Sequence, residues 1–150
     1  MNNCRIFAIL THMNRKTPLK RQIEAQISRC WKRRVFTRKD FIPMGDYDQV
    51  GRALLTLTRE GKLIRIGYGL YAKARINRIT GLPMLASDGG FEQVAKEALD
   101  LLNVEWRPGS TEQDYNNGST QIPINAQVFI NSRFSRKIRT DKFSLQVQRN

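Results

Sequence analysis

VFTRKDFIPMGDYDQVGRALLTLTREGKLIRIGYGLYAKAR, residues 35–75, is the stretch whose reading decides the fold. Within it Asp46 is a good N-cap and Gln49, three residues on, completes a D-x-x-Q capping box, so a helix should begin at Tyr47. Gly61 should end it. Between these limits Val50, Leu54 and Leu57 recur at i, i+4 and i+7 and form one apolar stripe for a core. The opposite face carries Tyr47, Gln49, Arg52, Thr56 and Arg59. After Gly61, LIRI and LYAKA are strand-like runs joined by Gly67-Tyr68-Gly69, whose glycines permit the positive φ that a tight hairpin needs. A hairpin set beside a helix in this way is a wing.

Working upstream, Thr37 can cap a short helix, TRKDFIPM, with Phe41 inward and Arg38 and Lys39 outward, and Pro43 keeps it short. Gly45 then turns into the Asp46 helix, so the pair forms a helix-turn-helix. Further back, Thr17-Pro18 is a cap followed by proline at the first helical position, and a helix is expected from there to about Arg33. Leu19, Ile23, Ile27, Cys30 and Trp31 take one side of it. Lys20, Arg21, Arg29, Lys32 and Arg33 surround the rest, either as a solvated face or as phosphate contacts.

Working downstream, INRITGLPMLASDGG (76–90) reads as a connector broken by Gly81, Pro83, Gly89 and Gly90. Ser87 or Asp88 precedes a helix, FEQVAKEALDLLNV, with Phe91, Val94, Ala95, Ala98, Leu99 and Leu102 on its apolar side. Val104-Glu105-Trp106 is a brief strand stopped by Arg107-Pro108-Gly109, and the polar run from 110 to 123 holds a hairpin signal at Asn117-Gly118. From Ala126 the run AQVFINSRFSRKIRT alternates enough for a strand or hairpin, with Val128, Ile130, Phe134 and Ile138 as the residues to bury.

The run RALLTLTREGKLIRIGYGLYAKAR (52–75) resembles the AL-x-x-L-x-x-EGK-x-x-R-x-G-x-GLY signature of the winged helices that head AbiE-type, abortive-infection antitoxins. KDFIPMG before it and GLP after it strengthen the likeness. Gln121, Pro123 and Arg136-Lys137-Ile138 resemble the C-terminal part of the same family, so the similarity spans roughly 17 to 140. The resemblance implies an α+β chain with an N-terminal winged helix-turn-helix followed by a small helix-plus-strands C-terminal appendage. It implies, too, a transcriptional repressor of its own operon that acts as the antitoxin of a bacterial toxin-antitoxin pair, with a nucleotidyltransferase-like toxin as partner. The division expected is an N-terminal extension at 1–16, a DNA-binding domain at 17–80 and a C-terminal region at 81–150.

The net charge of +13 is unevenly placed. Residues 1–80 carry 18 Lys+Arg against 5 Asp+Glu, whereas residues 81–150 carry 8 against 8. Inside the neutral half, 81–132 holds 2 basic and 7 acidic residues, and 133–150 holds 6 basic and 1 acidic. Such a field suits a nucleic-acid face on the first half and a different partner on the second. No apolar run is long enough to span a membrane, so a cytoplasmic protein is expected. Residues 4–13, CRIFAILTHM, lack the basic start and cleavage site of a signal peptide, and read as an element packing on the domain or as an extension ahead of Met13. Cys4 and Cys30 have no metal-ligand spacing and suit reduced, structural thiols.

The chemistry on offer is reading a duplex. A major groove admits one helix, whose first residues meet base edges while flanking cations hold phosphates. Gln49 can pair with adenine and Arg52 with guanine; Thr56 and Arg59 are placed for sugar or phosphate, Arg38, Lys39 and Tyr47 lie outward on the same DNA-facing side, and Arg65, Tyr68 and Lys73 can reach the backbone or minor groove beside the site. Operator DNA is the expected partner, bound by a homodimer. For a protein partner, Trp106 and Phe134 are the candidate anchors, unless both belong to the core of the appendage. Catalysis is not expected: the one histidine, His12, stands apart from any ligand cluster, and there is no P-loop, nucleotide-binding glycine fingerprint or G-x-S-x-G. No metal or other cofactor is expected either. The alternative is a protein-binding module whose basic face docks an acidic partner without reading DNA.

Overall fold

The computed structural model describes residues 17–109 and 126–149. The expectations for the segment 4–13, for the Asn117-Gly118 hairpin and for Gln121 and Pro123 lie outside the described residues. The chain is α+β and divides into two compact units, the first taking in 17–65 and 69–86 and the second 66–68, 87–109 and 126–149.

In the first unit, helix α1 (Leu19–Arg29) is followed by strand β1 (Val35–Thr37), a 3-10 segment (Arg38–Met44), helix α2 (Tyr47–Arg59), and strands β2 (Leu63–Gly67), β3 (Leu70–Ile76) and β4 (Pro83–Leu85). α2 begins and ends where its sequence dictates. The Asp46 carboxylate accepts from the Gln49 N–H at 2.9 Å, and Gly61 takes φ +76° just past the last turn. There Gly61 N–H donates to Thr58 O and Lys62 N–H to Leu57 O, a Schellman closure that satisfies two carbonyls left over at the helix end. The stripe Val50, Leu54 and Leu57 is fully buried and packs on Ile23 and Ile27 of α1, with Phe36, Phe41, Leu63 and Tyr71 completing the core.

α1 is shorter than its amphipathic pattern suggests. It starts at Leu19 rather than at Pro18, and its N-terminal turn is held by the Gln22 side-chain amide, which donates to Thr17 O at 2.6 Å. It stops at Arg29, because Cys30 leaves helical geometry and the chain must extend to enter β1. Trp31, expected on the apolar side, therefore lies beyond the helix and is 76% exposed, with the Lys32 ammonium 5.2 Å from its ring centre. Cys30 is buried and is disulfide-bonded, where composition had suggested a reduced thiol.

β1, a three-residue strand not foreseen from the sequence, pairs antiparallel with β3 (Val35↔Ala72), and β3 lies between β1 and β2. The turn from β2 to β3 uses one left-handed residue, Gly69 at φ +67°. Residues 76–90 are not a plain connector. Asn77 closes a loop by accepting from Gly81 N–H at its carbonyl and from Ile79 N–H at its side chain, and β4 then returns antiparallel along β3 (Arg75↔Met84). The pattern of 83–85 is too short to announce itself; pairing with β3 makes it a strand.

The second unit holds helix α3 (Gly90–Leu101) and a sheet ordered β5 (Trp106–Pro108), β6 (Gln127–Ile130), β7 (Gln146–Gln148). α3 buries Phe91, Val94, Ala95, Ala98 and Leu99. Neither Ser87 nor Asp88 caps it; the Gln93 amide oxygen turns back to accept from Gly89 N–H at 3.1 Å. β5 begins at Trp106 and runs through Arg107 and Pro108, which is tolerated because β5 is an edge strand. Of the run from Ala126, only Gln127–Ile130 is a strand; it pairs parallel with β7 (Val128↔Val147), and Phe134 and Ile138 are buried in the irregular segment that follows. Among the described residues, no helix is long and apolar enough to cross a membrane.

Candidate nucleic-acid interface

The exposed face of α2 and the 3-10 segment before it hold most of the residues singled out for DNA. Thr37 and Asp40 cap the 3-10 segment: the Asp40 carboxylate accepts from Thr37 N–H at 2.7 Å. The same carboxylate receives the Arg33 guanidinium at both oxygens, at 3.1 and 2.9 Å, in a pair whose side chains are only 11% and 16% exposed. Arg33 is thereby committed to the fold. Its sequence position suggested a solvated or phosphate-facing cation, and only the bend at β1 brings Asp40 to it.

Arg38 lies across α2, its guanidinium 4.7 Å from the Tyr47 ring centre. Gly51 makes room for it, since a Cβ there would come within 2.8 Å of Arg38 Cζ. No sequence signal in a helix interior separates such a glycine from one that merely weakens the helix. Gly45 fits closely in the same way, a Cβ there meeting Leu19 at 2.9 Å and the Gln49 side-chain oxygen at 3.2 Å. Glycine in this turn lets α1 and α2 close on one another.

Gln49, Arg52 and Arg59 are exposed, Tyr47 is half exposed, and Thr56 is partly covered with its hydroxyl donating back to Arg52 O at 2.9 Å. Arg52 and Arg59 stand seven residues apart on one face, about 10 Å along the helix axis. Lys39 is exposed on the 3-10 segment and Arg65 is exposed on β2. Asp46 and Asp48 sit at the start of α2, where they favour the helix dipole and temper the positive field.

Two of the remaining residues are placed differently. Lys73 is half-buried, and its ammonium donates to Cys30 O at 2.6 Å, fastening β3 to the C-terminal end of α1. Tyr68 groups with the second unit and is 76% exposed. On the first unit's flank, Lys20 pairs with Glu60, and Lys62 pairs with Glu24 and, at 3.8 Å, with Glu60. The hydrogen bond from Lys20 holds the Glu60 carboxyl below the ordinary carboxylate range, and the hydrogen bond to Glu24 raises Lys62.

In the second unit, Trp106 is partly buried; its indole N–H donates to Asp100 at 2.8 Å, and the Lys96 ammonium lies 5.3 Å from its ring centre. Phe134 is 8% exposed and belongs to the core, which removes it as an anchor for a partner. Residues 22–150 match a family of unknown function, DUF6088. No curated protein and no solved structure matches the chain.

Proposed function

We propose that this chain, which belongs to the DUF6088 family, is a winged-helix protein that binds duplex DNA and regulates transcription. The observation that carries the reading is the capped helix α2, buried along Val50, Leu54 and Leu57 and presenting Gln49, Arg52 and Arg59 outward beside an Arg38 held in place over Tyr47. The element order of the first unit, a helix, a strand, two helical segments and a hairpin, is the order of a winged helix, and the excess of basic residues in 1–80 is on the same part of the chain. Arg52, close to the helix start, reads a base edge; Arg38, Lys39 and Arg59 hold phosphates. The resemblance to abortive-infection antitoxins extends this to autorepression and neutralisation of a toxin, with Trp106 and the acidic residues around it as the surface a basic partner would meet.

The test is a titration of the full chain with duplex DNA at increasing salt. Four to six phosphate contacts give a log-log slope of about −4 to −5. Arg52→Ala should cost roughly 1–3 kcal/mol on the preferred site and flatten the preference for it. Absence of binding at low salt, or binding indifferent to salt, refutes the proposal.

A second reading, docking of a protein by the first unit, is favoured by one observation. Ile76, Ile79, Leu82 and Met84 are exposed together around the β3–β4 loop, Ile79 at 94%. This patch lies on the loop and strand that follow the wing, and it is compatible with DNA binding by α2.

A further inference from the structure

The overall neutrality of residues 81–150 conceals a basic run at 133–149 that the fold organises within the second unit. Phe134 and Ile138, four residues apart, are both buried and pin the segment down. Arg133, Arg136, Lys137 and Arg139 between and beside them are exposed. The segment is fixed further downstream, where Leu145 N–H donates to Ile138 O and Arg139 bridges to Ser144. Its four cations are therefore presented on an ordered backbone.

The same unit includes Ile66–Tyr68, the end of β2 and the first turn residue after it. Arg139 N–H donates to Ile66 O at 2.8 Å, and an Arg136 guanidinium N–H donates to Tyr68 O at 3.2 Å. One of the five guanidinium donors of Arg136 is used in this way, so the group is oriented and still has N–H groups to offer. Asp141 is the one carboxylate in 133–150. The ion pairs Lys20–Glu60, Arg33–Asp40, Lys62–Glu24, Lys62–Glu60 and Lys96–Glu92 involve none of these four cations.

We propose that Arg133, Arg136, Lys137 and Arg139, on a segment that Arg136 and Arg139 tie to the backbone of Ile66–Tyr68, form a second contact surface for the phosphates of duplex DNA. The inference rests on the reading under Proposed function and adds a part of the chain that sequence alone assigned to a protein partner. Three of the four cations are arginines, whose planar forks match phosphate oxygens two at a time. Contacts of this kind position the protein and carry no sequence preference.

The experiment uses the full chain and fluorescence anisotropy with a labelled duplex from low to moderate salt. Arg133→Gln, Lys137→Gln and Arg139→Gln are combined, leaving Arg136 on Tyr68 O, and a companion variant carries Arg133→Lys and Arg139→Lys. The glutamine variant should bind any duplex roughly tenfold more weakly, with a log-log salt slope shallower by about 2 to 3, and should keep the wild-type preference among sequences. The lysine variant should keep the wild-type slope, and both should keep its thermal midpoint. A glutamine variant with the affinity and slope of a DNA-binding wild type overturns the proposal alone and leaves an acidic protein as the occupant of the patch. A wild type that binds no duplex overturns both this proposal and the one it rests on.

Discussion

The two units differ in how their structure is encoded. In the first, the helix that organises everything is bounded by signals within a few residues of itself: Asp46 caps it, Gly61 closes it and Val50, Leu54 and Leu57 mark its buried side. In the second, the sheet joins strands of three or four residues drawn from distant parts of the chain, with β6 paired in parallel to a strand nearly twenty residues on. Short-range chemistry dictates the one, and closure of long loops dictates the other. A change at a local signal should act on α2 in a way that can be anticipated, whereas the second unit should respond through whichever pairing is lost.

The comparison can be broken first at the cores. Leu54 and Leu99 are both fully buried, one in each unit. Leu54→Ala and Leu99→Ala should each cost about 2–5 kcal/mol in urea unfolding. Hydrogen exchange should show the loss concentrated in the unit that carries the substitution; equal loss across both would mean that the units unfold as one.

A somewhat smaller effect is expected at Asp40, where one carboxylate serves the Arg33 fork and the Thr37 backbone. Asp40→Ala leaves a mostly covered guanidinium without its counter-charge, with Val35 O remaining as an acceptor, and should cost about 2–4 kcal/mol. If unfolding shows less than 1 kcal/mol, the pair is not the tie between β1 and the 3-10 segment that its geometry indicates.

How much of this was legible follows from range. The boundaries and buried face of α2, the strands β2 and β3 and the inward Phe41 could be read because each depends on residues within one or two turns. The exit of α1 at Arg29, and with it the exposure of Trp31, could not, since β1 exists only by pairing with β3 some 35 residues away. The same holds for β4, for the fastening of Lys73 to Cys30 O and for the seat that Gly51 gives Arg38. Lys73 is the sharpest case: as a strand residue in a basic wing it looked outward, and pairing with β1 carried it to a helix end.

Next in size are the two ends of α2. Gly61→Ala places a side chain at φ +76° with its Cβ about 3.0 Å from Ile76 and Pro83, and should cost about 1–2 kcal/mol. Asp46→Ala removes the acceptor for Gln49 N–H and should cost about 1 kcal/mol. Thermal unfolding of each variant checks both. A neutral Gly61→Ala would mean that the helix end can rebuild its closure without a left-handed residue.

The smallest expected effect is electrostatic. Glu60 is held ionised below its ordinary range chiefly by the Lys20 hydrogen bond, with both lysine charges assisting and desolvation opposing. Its depressed folded-state pKa contributes stability that is present above the ordinary carboxylate value and is lost as pH falls below about 4. Glu60→Gln should therefore lower neutral-pH stability slightly, with the difference from wild type vanishing in acid, so that the acid limb of the stability curve is shallower. Lys62 behaves in the opposite sense: its contribution is present at neutral pH and is lost only in strong alkali.

β4 pairs with β3 on one side, and around it Ile76, Ile79, Leu82 and Met84 are open to water. Pro83 begins this short strand and offers no N–H, while exposed Arg75 and Arg78 bring like charge to any second molecule that approaches. The guard is partly electrostatic and so reaches only as far as the ionic strength allows, about 10 Å at 0.1 M and about 3 Å at 1 M. Concentrated salt would lower that guard, and the purified chain should turn cloudy as the ionic strength rises.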